Sequence, residues 1–437
     1  MPTIRLSATP DLFALHAQYP DDYPVLLETT VGLGWDILMA YPSASHSYDA
    51  TDSAEFIAQL AQLPCNRVTA KPEETAHLPF RGGWFVYLGY ELLHDLEASV
   101  HRRDPAPNDF PVAALMRVPA ALMVDKTRQQ AWAFAEDEVT LARLVSVLND
   151  MKSVNLPNPV ISDLEEEADA VFLTGVGEIQ RYIAAGDVFQ VNLSRRWRGR
   201  ITQTQAAASI YQALRKNNPA PFAGSAHLNS GQTIISSSPE RLVQVVDGYA
   251  LTRPIAGTHP RHLDPSQDAK IRADLITHPK ERAEHVMLVD LERNDLGRVC
   301  VPGTVQVDEL MVVASYQHVH HIESTVTGKL RAEVTVAELV RALFPGGTIT
   351  GCPKIRTMQI IRELELTPRG AYTGSMGYIN LDGDLDLNIL IRTLMLSEQE
   401  LVFSAGAGIV VDSDPKRELA ETRAKAKGLL RAFGLME

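Results

Sequence analysis

The chain has 437 residues and a formal net charge of −13, from 41 Lys and Arg against 54 Asp and Glu. Hydrophobic residues make up 45% and charged residues 22%, close to the averages of soluble globular proteins, which excludes disordered, collagen-like and disulfide-scaffold classes. The acidic balance, without a basic block that could neutralise a phosphate backbone, argues against a nucleic-acid partner.

No targeting or membrane segment is evident. Residues 1–10 have no cationic stretch leading into an apolar one, and no uncharged apolar run reaches the roughly 18 residues of a membrane helix. The three cysteines, Cys65, Cys300 and Cys352, lie far apart and form no CxxC pair. We therefore expect a cytoplasmic protein without a cysteine metal site.

The first 152 residues are predicted to form an N-terminal lobe. Apolar runs at 112–122 and 131–135 flank a polar segment, which is typical of two strands joined by a turn. A helix is predicted to follow, because Leu141, Leu144 and Leu148 recur at helical spacing.

Residues 153–170 are interpreted as a linker, because they contain two prolines, two asparagines and an acidic run. The second domain, 171–437, alternates helical patterns with β-rich runs. Helices are predicted at 174–185, 205–216, 279–294, 336–344, 353–365 and 415–433, and β-rich runs at 233–246, 376–385 and 401–411. Strands that follow one another without a helix between them indicate antiparallel pairing, so we predict an α+β fold and not a doubly wound parallel sheet.

Three motifs resemble nucleotide or zinc sites, but each lacks a required feature. In 344–354, Cys352 and Pro353 separate the last glycine from the lysine that a phosphate loop needs directly after it. The glycines of 404–408 lack the third glycine and the following helix of a dinucleotide site. The histidines of 318–321 lack a carboxylate at zinc spacing. Two interpretations remain open: a glycine-rich turn that receives a carboxylate or simply connects strands, and a histidine that acts as an acid, base or hydrogen-bond donor.

Two of the predicted helices carry paired glutamates. Glu281 and Glu284 are three residues apart in one helix, and Glu418 and Glu421 repeat this spacing in the last helix, followed by Lys425. The spacing places each pair on one face of its helix. Carboxylate oxygens are the ligands that Mg²⁺ prefers; a solvated helix face is the alternative interpretation.

Five segments in the second half of the chain together resemble the chorismate-utilising enzymes. The resemblance runs from about residue 170 to the end and is carried by 254–258, 284–295, 346–354, 405–410 and 421–425. It implies a large two-lobed sandwich of antiparallel sheets with helices outside. It also makes 171–437 a chorismate-binding catalytic domain.

The family resemblance implies a metal cofactor. Glu284 and Glu421, with Glu281 and Glu418 nearby, match the positions that hold a Mg²⁺ ion on the ring carboxylate of chorismate. Such an ion would stabilise negative charge that moves into the ring.

The resemblance also implies substrate-binding and catalytic residues. The positions that match groups around the bound substrate are Gly257, Thr258, Tyr372, Arg392, Gly406, Gly408 and Lys425. His321 and Thr348 match residues beside the reacting ring edge, and Glu240 matches the general acid that protonates a departing hydroxyl. The chemistry agrees, because hydroxide leaves poorly without a proton and a guanidinium fork suits a carboxylate.

The residue at position 190 distinguishes between branches of the family. Isochorismate-forming and salicylate-forming members carry a lysine base where this chain has Gln190, and glutamine cannot take a proton near neutral pH. The amine-transferring branches remain. Their members receive ammonia from a glutamine amidotransferase subunit, and this sequence shows no recognisable amidotransferase segment. A partner subunit is therefore implied.

The two amine-transferring branches, anthranilate synthase component I and aminodeoxychorismate synthase component I, receive conflicting support. Typical aminodeoxychorismate synthases have a lysine nucleophile where this chain has Ala256, the anthranilate-type residue, which cannot be a nucleophile. Segments 344–351 and 388–393, and the length of the chain, favour the aminodeoxychorismate branch, which we prefer. Ammonia would then reach C4 directly, or after another nucleophile has bound C2. A non-catalytic chorismate- or tryptophan-binding homologue is disfavoured, because the charged site residues are all present.

The N-terminal lobe resembles the family only loosely. Leu27 and Glu28 stand where relatives have a leucine-leucine-glutamate segment near a tryptophan site. The segment is either part of a tryptophan pocket or an ordinary core strand.

Overall fold

Two large antiparallel sheets form the framework of the protein. The computed structural model describes residues 1–63, 65, 71–103, 110–149, 151–229, 231–315 and 319–435, with only the backbone at Thr258 and Lys280. In these residues the strands are β1 (Thr3–Arg5), β2 (Val25–Glu28), β3 (Trp35–Ala40), β4 (Ala44–Tyr48), β5 (Gly83–Leu88), β6 (Ala113–Val118), β7 (Ala120–Asp125), β8 (Gln130–Ala135), β9 (Ser162–Glu166), β10 (Gln190–Arg200), β11 (Phe222–His227), β12 (Gln232–Ser238), β13 (Arg241–Val246), β14 (Tyr249–Thr252), β15 (Ile255–Pro260), β16 (Gln306–Ser315), β17 (Val319–Lys329), β18 (Gly351–Cys352), β19 (Ser375–Asn380), β20 (Leu385–Asn388), β21 (Thr393–Ser397) and β22 (Glu400–Ile409).

Helices cover the outer faces of these sheets. Within the same described residues they are α1 (Leu12–Gln18), α2 (Ser53–Leu60), α3 (Leu93–Leu96), α4 (Glu138–Val147), α5 (Asp169–Ala184), α6 (Ala206–Asn217), α7 (Pro265–Thr277), α8 (Pro279–Gly297), α9 (Val336–Leu343), α10 (Lys354–Leu364) and α11 (Pro415–Leu430), with 3₁₀ turns at Tyr90–Leu92, Gly347–Ile349 and Arg431–Phe433. No helix in this part of the chain is long and apolar enough to cross a membrane.

The first sheet has the strand order β1-β8-β7-β3-β2-β11-β12-β21-β22-β10-β18, with β9 also paired to β10. The second has the order β15-β17-β14-β13-β20-β19-β5-β6-β4, with β16 also paired to β17. The recorded strand pairs are antiparallel. The α+β prediction is therefore confirmed.

The core lies between the sheets and under the helices, and residues alternate between the two locations along each strand. On β2 and β3, Val25 and Ile37 pack with Phe85 of the second sheet. Their neighbours Leu26 and Leu38 point to the other face and pack with α1, α4 and α6. Because successive side chains of a strand point to opposite faces, one apolar run supplies both layers.

Strands from before and after the predicted linker share both sheets. In the first sheet β2 pairs with β11, and in the second β5 pairs with β19. The segment 153–170 itself contains β9, which pairs with β10, and α5 begins at Asp169. The linker is therefore a boundary in the sequence that does not separate two sheets.

Two apolar runs predicted as single β segments are each divided by proline. Pro119 separates β6 from β7, and Pro239 separates β12 from β13. Proline has no backbone N–H to donate to a ladder, so each strand ends there. The second break has a functional consequence, because β12 belongs to the first sheet and β13 to the second. The chain crosses between the sheets at Glu240.

Candidate active site

Two segments of the chain cross between the sheets side by side, and they place a carboxyl group next to a guanidinium group. Glu240 lies on the crossing from β12 to β13, and Arg392 lies on the return from β20 to β21. The Ile389 amide donates to the Glu240 carbonyl at 3.0 Å, and the Ser237 amide donates to the Arg392 carbonyl at 3.0 Å. These bonds fix the two backbones to each other.

Glu240 is held as an acid by burial. Only 5% of the residue is exposed, and the hydroxyl of Thr348 donates to its Oε1 at 2.7 Å. Burial raises the pKa of Glu240 to about 7, and the charge of Glu323 adds to this, while Thr348 and Arg392 oppose it. A carboxyl group with this pKa can be protonated near neutral pH and can act as a general acid.

Arg392 offers its guanidinium group to the same space. Its backbone has a positive φ of 52°, and burial lowers its pKa while Glu240 opposes the change. Among the described residues, no carboxylate forms an ion pair with Arg392. A largely buried guanidinium with unused donors can bind a substrate carboxylate through two parallel hydrogen bonds.

The strand β15 contributes a bulge opposite β17. The register shifts between Ala256 and Thr258, and Gly257 has a φ of +66°, which favours glycine. Ala256 is 6% exposed. A Cβ atom at position 257 would lie 2.9 Å from Oε2 of Glu281, so the bulge brings the backbone against α8.

His321 lies on β17 opposite this bulge. Burial, with the charge of Arg392, lowers its pKa to about 4, and a hydrogen bond with the Gly257 backbone opposes this. The imidazole is therefore neutral at pH 7. His318 lies outside the described residues, and His320 is held by Asp268 at 3.0 Å and Ser315 at 2.8 Å.

Gln190 connects α8 with the end of β22. Its Nε2 donates to Oε1 of Glu284 at 3.1 Å, and a Cβ atom at Gly408 would lie 2.3 Å from that nitrogen. A side chain at 408 would displace the Gln190 amide from this position. Gln190 therefore connects a predicted metal ligand, Glu284, to the strand β22, which is predicted to bind substrate. The family resemblance places a lysine base at this position in water-adding members.

Gly406, two residues earlier on the same strand, is also closely surrounded by other atoms. A Cβ atom there would lie 2.8 Å from the Tyr372 hydroxyl and 2.8 Å from Oδ1 of Asn192. Burial raises the pKa of Tyr372 to about 12, so the phenol stays a donor. Lys425 donates to the Gly406 carbonyl at 2.9 Å and pairs with Glu421 at 2.9 Å.

Two of the four predicted metal ligands are linked to the end of β22 from two helices. Glu284 is linked to it through Gln190, and Glu421 through Lys425. Glu281 and Glu418 are half-buried on the same two helices. Within the described residues no three acidic, histidine or cysteine side chains are grouped so that they could hold a metal ion. By their chemistry the four carboxylates are donors that Mg²⁺ accepts, and substrate and water oxygens would have to supply the remaining ligands.

The predicted tryptophan residues lie in a different part of the first sheet. Glu28 is 4% exposed, and its two carboxylate oxygens accept from Arg215 at 2.7 Å and from the Tyr211 hydroxyl at 2.6 Å. Leu27 is half-buried beside Gly224. Both oxygens of Glu28 are thus engaged by groups of the chain itself.

Arg369 was not predicted from the sequence. Its side chain connects several segments that form the candidate site. This buried guanidinium donates to Glu365 at 2.7 and 2.8 Å, to the Asn192 carbonyl at 2.7 Å and to the Ile349 carbonyl at 3.2 Å. It thereby joins β10 to the turn that carries Thr348. The only signal available was its position three residues before Tyr372.

Comparisons with known proteins agree with the family resemblance of the sequence. A family model described as chorismate binding enzyme matches residues 23–431. An anthranilate synthase component I-like protein of Synechocystis sp. is 43% identical over 386 residues, 87% of this chain and 79% of that protein. An aminodeoxychorismate synthase component 1 of Klebsiella aerogenes is 41% identical over 365 residues, 82% of this chain and 79% of that protein.

A solved structure also matches across most of the chain. Anthranilate synthase component I from Streptococcus pneumoniae TIGR4 has a TM-score of 0.77 and 30% identity, and covers 90% of this chain and 92% of its own. The matching proteins carry the names of both amine-transferring branches, so they support the family and not one branch. The chain belongs to the family of chorismate binding enzymes.

Proposed function

We propose that the chain is component I of an aminodeoxychorismate synthase, which replaces the C4 hydroxyl of chorismate with an amino group. The observation that carries the proposal is the buried Glu240, whose pKa is raised to about 7 by burial, beside Thr348 and Arg392, because loss of a ring hydroxyl needs an acid. Relatives named aminodeoxychorismate synthase component 1 in Klebsiella aerogenes and other bacteria support the branch.

The residues divide the work of binding and proton transfer. Arg392 and the Tyr372 hydroxyl are placed to hold the substrate carboxylates, and neutral His321 can donate a hydrogen bond at the ring edge. Glu240 gives its proton to the departing hydroxyl. Mg²⁺ on Glu284 and Glu421, with Glu281 and Glu418, would neutralise the ring carboxylate and stabilise charge in the ring.

Ala256 leaves the ring without a lysine nucleophile. Its methyl group is buried on β15, so ammonia would reach C4 directly or after another nucleophile had bound C2. An Ala256→Lys variant that traps a covalent adduct with chorismate would support access to C2 from this strand. Absence of an adduct in a folded variant would count against that route.

Ammonia is proposed to come from a glutamine amidotransferase subunit, because relatives are named component 1 of their synthases. The isolated chain should therefore use ammonium salts but not glutamine. Turnover of glutamine by the chain alone would contradict the need for a partner.

The second candidate is anthranilate synthase component I, favoured by Ala256 and by relatives of that name. The two are separated by incubating the chain with chorismate, Mg²⁺ and a high ammonium concentration at alkaline pH, followed by mass spectrometry. An aminated product that keeps its enolpyruvyl group, and that an added lyase converts to p-aminobenzoate, supports the proposal. Anthranilate with released pyruvate would overturn it. Glu240→Gln is the control, since it should form neither product.

A further inference from the structure

A second buried carboxyl group lies behind the Glu240–Thr348 pair. Glu292 is on α8, slightly more than two turns after Glu284, and is 7% exposed. A Cβ atom at Gly347 would lie 3.7 Å from Oε1 of Glu292. Gly347 directly precedes Thr348, so Glu292 and Glu240 both lie against the same short turn.

Neither carboxyl group forms an ion pair among the described residues, although the charge of Arg392 acts on Glu240. Lys354, the cation that acts on Glu292, is bonded to Asp295 and also donates to the Leu343 carbonyl at 3.1 Å. The nearby buried carboxylate of Glu323 differs, because Arg253 pairs with it at 2.7 Å. An unpaired buried carboxylate is costly, so both Glu240 and Glu292 are favoured in their acid forms.

The surroundings of Glu292 can also accept its ionised form. The buried hydroxyl of Thr252 completes no hydrogen bond of normal geometry, yet it lies beside the Glu292 carboxyl and favours its charged state. Burial raises the pKa of Glu292 to about 8, with the charges of Asp295 and Glu240 adding to the rise and Lys354 opposing it. The group can therefore change protonation within the range in which Glu240 works.

We propose that Glu292 is a positioning residue that holds a second proton for Glu240 at the turn Gly347–Ile349. The inference rests on the proposed function in one respect, namely that Glu240 protonates a departing ring hydroxyl.

The proton transfers balance without an additional reactant. When the C–O bond breaks, its electron pair stays on oxygen, which takes the Glu240 proton and leaves as water. The O–H bond of Glu292 then breaks, and its proton restores Glu240. Ammonia forms the C–N bond with its lone pair. The proton that the new amine releases returns to Glu292.

The test is the pH dependence of turnover in Glu292→Gln, which keeps the shape of protonated Glu292 but cannot give up a proton. We expect kcat within about twofold of the unmodified chain at pH 6.5, where Glu240 is protonated in both, and roughly tenfold lower at pH 8.5. KM for chorismate should not change. Comparing the two proteins at each pH cancels the effect of pH on ammonia itself. Glu292→Asp, which keeps an acid, should recover part of the rate at pH 8.5.

Two further variants keep the test decisive. Asp290→Asn removes an exposed carboxylate from the same helix and should leave the pH profile unchanged. Thr252→Val, which removes the hydroxyl beside Glu292, should lower the alkaline rate even if Glu292→Gln does not fold. A ratio of variant to unmodified kcat that is the same at both pH values overturns the inference. Absence of turnover in the unmodified chain would instead contradict the proposed function, whereas anthranilate as the product would leave the Glu292 test intact.

Discussion

The Thr348 hydroxyl and the Glu240 carboxyl are joined by a 2.7 Å hydrogen bond although they lie 108 residues apart in the sequence. The bond connects the crossing between the sheets to the 3₁₀ turn at Gly347–Ile349. It orients an acid whose burial is unfavourable to the folded protein whenever that acid is ionised.

Glu240→Gln should therefore abolish activity and increase stability at alkaline pH. The folded pKa of Glu240, about 7, lies above its ordinary value of 4.5, so the native state holds a proton that the unfolded state releases. Stability is then lost as pH rises from about 4.5 to 7 and stays reduced above 7. At pH 8 the variant should gain up to about 3 kcal/mol in free energy of unfolding, and at pH 4 almost nothing. Denaturant titrations at the two pH values measure this; an equal gain at both would contradict the assigned pKa.

Arg392→Lys should weaken chorismate binding while keeping the positive charge. Lysine cannot reproduce the two parallel hydrogen bonds of a guanidinium group to a carboxylate. We expect KM for chorismate to rise roughly tenfold or more, with a smaller change in kcat. Steady-state kinetics with ammonium as the nitrogen donor provide the measurement. An unchanged KM would show that the Arg392 side chain does not bind substrate.

Gln190→Lys should alter the response to Mg²⁺. A lysine ammonium in place of the Gln190 amide would pair with Glu284, which the amide now contacts at 3.1 Å, and would compete with a cation. The Mg²⁺ concentration for half-maximal activity should increase, and Glu284→Gln should increase it further. Asp290→Asn serves as the control on the same helix. If Gln190→Lys and Glu284→Gln both respond to Mg²⁺ like the unmodified chain, Glu284 is not a ligand.

L-Tryptophan at millimolar concentration should leave the melting temperature unchanged. Arg215 and Tyr211 already hydrogen-bond both oxygens of Glu28, and the residue is only 4% exposed, so the carboxylate is inaccessible to the ammonium group of an amino acid. Chorismate with Mg²⁺ is the positive control, because a ligand that binds only the folded state raises the melting temperature. A clear rise with tryptophan would mean that the Glu28 network opens to admit it.

Arg369→Met should destabilise the protein by about 3–5 kcal/mol, because it leaves the buried Glu365 carboxylate without its partner. Glu365→Gln combined with Arg369→Met should recover part of the loss, since it removes the unpaired charge. Denaturant unfolding of the single and double variants measures the coupling. Additive losses would show that the two side chains act independently.

Local patterns predicted six helices of the second half, but not α7, and not how the sheets exchange strands. The helix that carries Glu281 and Glu284 was predicted from Pro279 and ends at Gly297, three residues beyond the prediction. The run 233–246 looked uniform in hydrophobicity, yet Pro239 divides it between two sheets. Hydrophobic periodicity reports which face is buried and carries no information about which sheet buries it.

In the candidate site, too, some residues could be predicted from the sequence and others could not. The family resemblance indicated which positions are expected to contact substrate, because each role was carried over to a matching motif position. Arg369 and Glu292 could not be found this way, since a buried charge acquires its meaning from partners distant in the sequence. Their roles depend on the approach of β10, α8 and the Thr348 turn.

Because the two parts of the chain share strands in both sheets, the second part cannot be separated from the first without breaking strand pairs. A fragment of residues 171–437 would leave β11 without β2 and β19 without β5, exposing two long unpaired edges in the middle of what had been continuous sheets. Such edges recruit strands from neighbouring molecules. The first 152 residues therefore cover strand edges of residues 171–437 that would otherwise be open to pairing with other molecules.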